Sequence, residues 1–273
     1  MIEIIKEMIS YSFINRAILV GSLVSLCAAL LGVSLVLKRY AMIGDGLSHV
    51  GFGILTMTAA FGYATPLPIA IPGVMIVAIL LLKVGNSNKI KGDSAIALIS
   101  SSSLAIGVAL TSVTTGMNTD ICNFMFGSIL AMSNNDVKLS IIVSVIVLIL
   151  FVVFYKKIFT ITFDEEFAKA TGIKVDRYTN LIAVLTAVII VVGMRMMGTM
   201  LISSIIIFPA LTSMRVFKSF KNVVISSALI SIFSFLVGIY LSYVYNISTG
   251  ATIVIVNLIL FIIFTMLDKI INE

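Results

Sequence analysis

The sequence predicts an all-α polytopic membrane protein of eight or nine transmembrane helices, and three observations predict it. First, 60% of its 273 residues are apolar and only 11% are charged, where soluble domains carry about 25% charged residues. A water-soluble fold of that composition would leave broad apolar surfaces in water. Second, the apolar residues come in runs of about twenty, the length at which a helix crosses the hydrocarbon of a bilayer. Third, Lys and Arg gather in alternate connections, as they do in short cytoplasmic loops.

The expected spans are 17–37, 43–63, 66–85, 94–114, 137–155, 178–198, 199–216, 223–245 and 250–270. The run 199–216 is the weakest, being short and carrying Pro209, which removes a helical hydrogen bond. With that run broken or re-entrant, eight crossings remain. Loops around 38–42, 83–93, 156–177 and 215–222, together with the C-terminus, are assigned to the cytoplasm. That side then holds 14 of the 18 Lys and Arg, leaving Lys6, Arg16, Lys138 and Arg195 outside. Nine spans put the N-terminus outside as well. The first run is not a cleavable signal, because Glu3, Lys6 and Glu7 precede it and it ends at Lys38-Arg39 as a retained span. The remaining loops are brief, so 1–273 reads as one transmembrane domain. The net charge of +6 is explained by the basic loops, and no nucleic-acid partner is implied. Cys27 and Cys122 lack CxxC spacing and read as small apolar fillers.

Two segments are not spans. The stretch 120–132 is too short to cross and begins and ends outside, as a re-entrant or surface helix. The second is the longest inner loop, 156–177. There Asp164 is a good N-cap, Glu165 and Glu166 suit the first turn, and Gly172 can end the helix. Phe163, Phe167 and Ala170 fall near one face. An acidic start disfavours anionic lipid, so this short amphipathic helix is better matched to a groove in a protein.

Asp45 and His49 are the candidate chemical pair. Four apart on a helix, they share one face about 6 Å along the axis, and His49 is the only histidine. One carboxylate and one imidazole make half of a first-row metal site. Two readings stand side by side: the pair faces a cavity or partner, or Asp45 caps the span with His49 one turn inside. A four-ligand site needs a second copy of the chain or other residues. Ser100 to Ser103 read as close helix packing, and Asn257 as an interhelical hydrogen bond. Met194, Met196, Met197 and Met200 read as adaptable packing rather than a soft copper site. Arg195 either snorkels, the preferred reading, or pairs with an acid to shut an outer gate. The chain has no GxxxxGK[ST], HExxH or GxSxG, so it is not expected to be an enzyme or to bind ATP in that manner.

Three motifs add a resemblance: Lys38-Arg39-Tyr40-Ala41-Met42-Ile43-Gly44-Asp45-Gly46-Leu47-Ser48-His49, the outer Phe124-Met125-Phe126-Gly127-Ser128-Ile129-Leu130-Ala131, and the inner Phe163-Asp164-Glu165-Glu166-Phe167-Ala168-Lys169-Ala170-Thr171-Gly172. A fourth match, Leu201-Ile202-Ser203-Ser204-Ile205-Ile206-Ile207-Phe208-Pro209-Ala210, resembles the late-span signature of the same proteins. The chain resembles the membrane (permease) subunits of ABC-type importers of zinc, manganese or iron. The resemblance implies a homodimer in the plasma membrane, resting on two cytoplasmic ATP-binding subunits and fed by an extracellular metal-binding receptor. Asp45 and His49 then correspond to the metal-contacting pair of the pore. Phe163, Asp164, Glu165, Glu166, Phe167 and Gly172 correspond to the coupling helix that docks on the ATPase. No resident cofactor is implied, only the transported metal. Gly51-Phe52-Gly53 after the histidine looks closer to the zinc-type permeases than to manganese-type ones, which more often read Leu-Pro-Gly. The rival functions are an ion-gradient-driven secondary metal transporter and a non-transporting membrane scaffold.

Overall fold

A computed structural model describes residues 2–63, 67–85, 92–114, 125, 127 and 133–272. All regular structure among them is helical: α1 (Ile2–Ser10), α2 (Ser12–Leu37), α3 (Ala41–Ala60), α4 (Leu67–Gly85), α5 (Gly92–Val113), α6 (Asn134–Val153), α7 (Tyr155–Phe163), α8 (Glu165–Ala170), α9 (Val175–Met197), α10 (Thr199–Val216), α11 (Phe220–Tyr245) and α12 (Thr249–Asn272). Seven of these helices, α2, α4, α5, α6, α9, α11 and α12, are long and apolar enough to cross a membrane. The count of eight or nine had included α3 and α10. α3 has 20 residues, but Asp45, Ser48, His49 and four glycines dilute its apolar character, and the apolar part of α10 is the shorter Leu201–Val216. The expected outer helix at 120–132 lies outside the described residues, apart from Met125 and Gly127.

Two helices make the centre. Within the bundle 78% of the apolar window of α9 and 72% of that of α2 are buried, against 17% for α5 and 28% for α6 and α12. α2 packs on α6, α9, α10 and α11, and α9 packs on α3 and α4 as well. The outer faces of α5, α6, α11 and α12 carry exposed Leu, Ile, Val and Phe, the surface that lipid chains solvate.

Lipid is as apolar as leucine, so helices here associate through close packing rather than by escaping water. Glycine sets the closest approach: a Cβ on Gly32 of α2 would lie 1.9 Å from the carbonyl oxygen of Ile206 on α10. The α9–α10 break falls at Gly198, at φ +87°, a value that favours glycine. α10 then runs unbroken through Pro209.

At one end α2 turns sharply into α3. Tyr40 N–H donates to Leu35 O at 2.8 Å and Arg39 N–H to Val36 O at 3.1 Å. This is the paired closure of a Schellman cap, in which glycine usually takes the left-handed position. Here Arg39 takes it, at φ +60°. The same end carries α7 and α8. Phe159 and Phe163 pack with Phe220 of α11 at centroid separations of 5.1 and 5.8 Å, which holds α7 across the bundle.

Candidate functional site

α3 is organised by its glycines. A Cβ at Gly46 would meet Ile96 at 2.6 Å, and one at Gly53 would meet the Ser103 carbonyl oxygen at 2.6 Å, both on α5. A Cβ at Gly51 would meet Met194 of α9 at 2.9 Å. Met42, Asp45 and His49 lie along one stripe of α3 and keep partial exposure between these contacts. Met42 is 52% exposed, and the Asp45 and His49 side chains are 42% and 21% exposed.

Asp45 is not the cap of this helix. The N-cap is Tyr40, with no side-chain capping bond, so Asp45 stands in the second turn. Asp45 and His49 sit roughly 6 and 12 Å from the start of α3 at 1.5 Å per residue, in its first half. Asp45 Oδ2 and His49 Nε2 are 3.8 Å apart. Two ligands at about 2.1 Å from one ion can span up to ~4.2 Å, so a single first-row metal fits between them. Ser48 Oγ donates to Asp45 O at 2.7 Å, which turns the serine away from the pair. His49 Nδ1 is buried and has no hydrogen-bond partner among the described residues, while Nε2 is the nitrogen turned toward Asp45. Among the described residues no group of three or more His, Cys, Asp or Glu converges on a point where a metal could sit.

The basic end carries the second set of candidates. Asp164 caps α8, its Oδ1 accepting from Phe167 N–H at 2.9 Å, and Gly172 closes the segment at φ +81°. Ala168 is fully buried while Phe163 and Phe167 are each 58% exposed, and Glu166 is exposed beside them. α8 therefore seats on the bundle through Ala168 and turns Phe167 outward, near Phe163 at the end of α7. Glu165 differs from its neighbours. Its Oε1 lies 2.6 Å from Lys38 Nζ at the end of α2. Burial, and then the Glu165 carboxylate, push the phenol of Tyr40 above its ordinary value.

At the opposite end Arg195 does not snorkel. Its Nη2 donates to Asp136 Oδ2 at 3.0 Å, with the two side chains only 13% and 9% exposed. Asp136 also belongs to the capping box that starts α6: Ser133 Oγ accepts from Asp136 N–H, and Asp136 Oδ2 accepts from Ser133 N–H. Arg16 of α2 reaches Asn134 in the same turn. Gly127, at φ +77°, lies against the Met196–Gly198 backbone. Asp136 went unnoticed in the sequence, although Ser133-x-x-Asp136 ahead of an apolar run is a capping-box signature.

Known membrane proteins resemble this chain along most of its length. Residues 10–268 match the ABC 3 transport family. The manganese import system permease protein ScaB of Streptococcus gordonii is 28% identical over 96% of this chain and 93% of its own length. The high-affinity zinc uptake system membrane protein ZnuB of Haemophilus influenzae is 29% identical over 93% of this chain and 97% of its own. The solved structure of PsaBC from Streptococcus pneumoniae in complex with Fab contains a chain that superposes with a TM-score of 0.87. It is 29% identical, covering 97% of this chain and 95% of that one.

Proposed function

The chain belongs to the ABC 3 transport family, and from that premise we propose that it is the pore subunit of an ATP-driven importer whose cargo is a divalent transition metal. One observation carries this reading. Asp45 and His49 stand 3.8 Å apart, both partly exposed, on one face of α3, and no third ligand joins them within the described residues. Two copies facing each other complete the site with two carboxylates and two imidazoles. Two carboxylates balance the charge of a divalent ion, and neutral imidazoles add borderline donors. A pore site must also release its ion, and ligands shared across a moving interface allow that.

In this reading α3 and α10 count as the eighth and ninth spans, the end bearing Lys38 and α8 faces the cytoplasm, and the N-terminus lies outside. Phe163, Glu166 and Phe167 insert into a groove of a separate ATP-binding subunit, whose nucleotide-driven closure favours one state of the dimer over the other. An extracellular metal-binding receptor delivers the ion at the opposite end, where Arg195 and Asp136 form the candidate outer gate. Zinc is the cargo favoured by Gly51-Phe52-Gly53. Manganese is the second reading, carried by relatives such as ScaB that are named for it.

The test is metal uptake in depleted cells with Zn, Mn and Fe(II) in competition. D45A is expected to abolish uptake while the chain still accumulates in the membrane, and normal uptake by D45A would overturn the pore-site assignment. Uptake that survives a block of ATP hydrolysis but collapses with the ion gradient would point instead to a secondary transporter.

A further inference from the structure

We propose that the Lys38–Glu165 ion pair is the link through which α8 moves α3, so that Glu165 is a positioning residue of this chain rather than a contact to the ATPase. The inference rests on the importer reading and adds to it the path by which motion at the inner helix reaches the metal pair.

Lys38 is the C-cap of α2, three residues ahead of Ala41, where α3 begins. Its side chain is only 5% exposed, and lysine is almost never so buried without a partner. Its Nζ has two: Glu165 Oε1 at 2.6 Å and Thr179 Oγ1 of α9 at 3.3 Å. The ammonium thus joins the end of α2, the first residue of α8 and the start of the central helix α9.

The connection beyond Lys38 has little slack. The Arg39 and Tyr40 N–H groups are both tied back to α2, and Arg39 holds a left-handed conformation that costs a non-glycine residue about 1 kcal/mol or more. A displacement of Lys38 is passed to Ala41 and along the rigid α3 helix to Asp45. On the other side, the Asp164 cap locks the first turn of α8, so Glu165 moves with that helix. The Glu165 side chain is 44% exposed, which lets the pair break and re-form as α8 is pushed. Phe163, Glu166 and Phe167 remain turned outward for the partner. Docking and transmission therefore fall to different side chains of α8, with Phe163 at the end of α7 on the docking side.

The experiment is reconstitution of the full complex, with its ATPase and receptor, in proteoliposomes, reading metal uptake and ATP hydrolysis together. K38M is expected to keep co-purification with the ATPase but to lower metal moved per ATP about tenfold, within the range of a single coupling contact. The double swap K38E/E165K is expected to restore most of that ratio. A merely structural pair would lower thermal stability and leave the ratio unchanged, and that result overturns the proposal. Loss of ATPase co-purification in E165Q also overturns it, because Glu165 would then be a docking contact. If K38M fails to accumulate, E165Q decides through the same ratio. Wild-type uptake that is independent of ATP hydrolysis would refute the importer reading itself. ATP-driven wild-type uptake with an unchanged ratio in the variants refutes only the link.

Discussion

Gly32 and Gly44 are both buried in helix interiors, yet they respond oppositely to one added methyl group. At Gly32 the Cβ would lie 1.9 Å from a backbone oxygen of α10, whereas at Gly44 the nearest atom is a side-chain carbon at 3.7 Å. A backbone atom cannot swing aside, so G32A is expected to lower stability by at least the ~1–3 kcal/mol of an overpacked core. G44A meets only ordinary contact and gains up to ~1 kcal/mol of helix propensity. Thermal unfolding in detergent should order the proteins G44A, wild type, G32A, and an inverted order would show that the α2–α10 crossing is looser than described. Asp45 and His49 were legible at this same scale, because the four-residue spacing and the single histidine are local facts. The open side of α3 was not. Which parts of α3 are covered depends on Ile96 and Ser103 of α5 and Met194 of α9, which press against Gly46, Gly53 and Gly51.

Among the helices, α8 was read most faithfully, with Asp164 as its cap and Gly172 beyond its end, since a cap and a glycine stop act within a few residues. The end of α6 was expected at 155, but the helix α7 that follows was read as loop, since its Tyr155, Phe159 and Phe163 pack on Phe220 of a helix distant in sequence. The Lys38–Glu165 pair was missed for the same reason, and the acid offered to Arg195 in its second reading was not identified as Asp136. Each pair joins helices remote in sequence, and a charged residue near a span end reads as snorkelling until its partner is placed. Asp136 supports α6 twice, as part of the capping box and as the acceptor for Arg195. S133A removes only the cap and is expected to cost ~1 kcal/mol. D136A keeps the bond from the residue-136 N–H to Ser133 Oγ but removes the reciprocal bond from Ser133 N–H together with the largely buried charge-assisted bond to Arg195, and is expected to cost roughly 2 kcal/mol or more in total. Chemical denaturation in mixed micelles checks the order, and equal costs would mean that the ion pair contributes nothing.

For the whole molecule the decisive quantity is how many chains share one ion. One chain offers a carboxylate and an imidazole on an open face, about half the ligands that a tetrahedral first-row ion takes. If two copies close the site, the purified complex should bind about one Zn or Mn per two chains, as two half-sites on a symmetry axis require. D45A should abolish that binding. A tandem-fused dimer carrying D45A in one half should bind far more weakly than wild type, because the remaining ligands cannot both balance the ion's charge and fill its coordination. Calorimetry and metal analysis of the three proteins read this directly. A stoichiometry of one ion per chain, or a tandem variant that keeps half the sites at full affinity, would show that each copy completes its own site. The pore would then have to be sought away from the shared axis, and the open face of α3 would need another occupant.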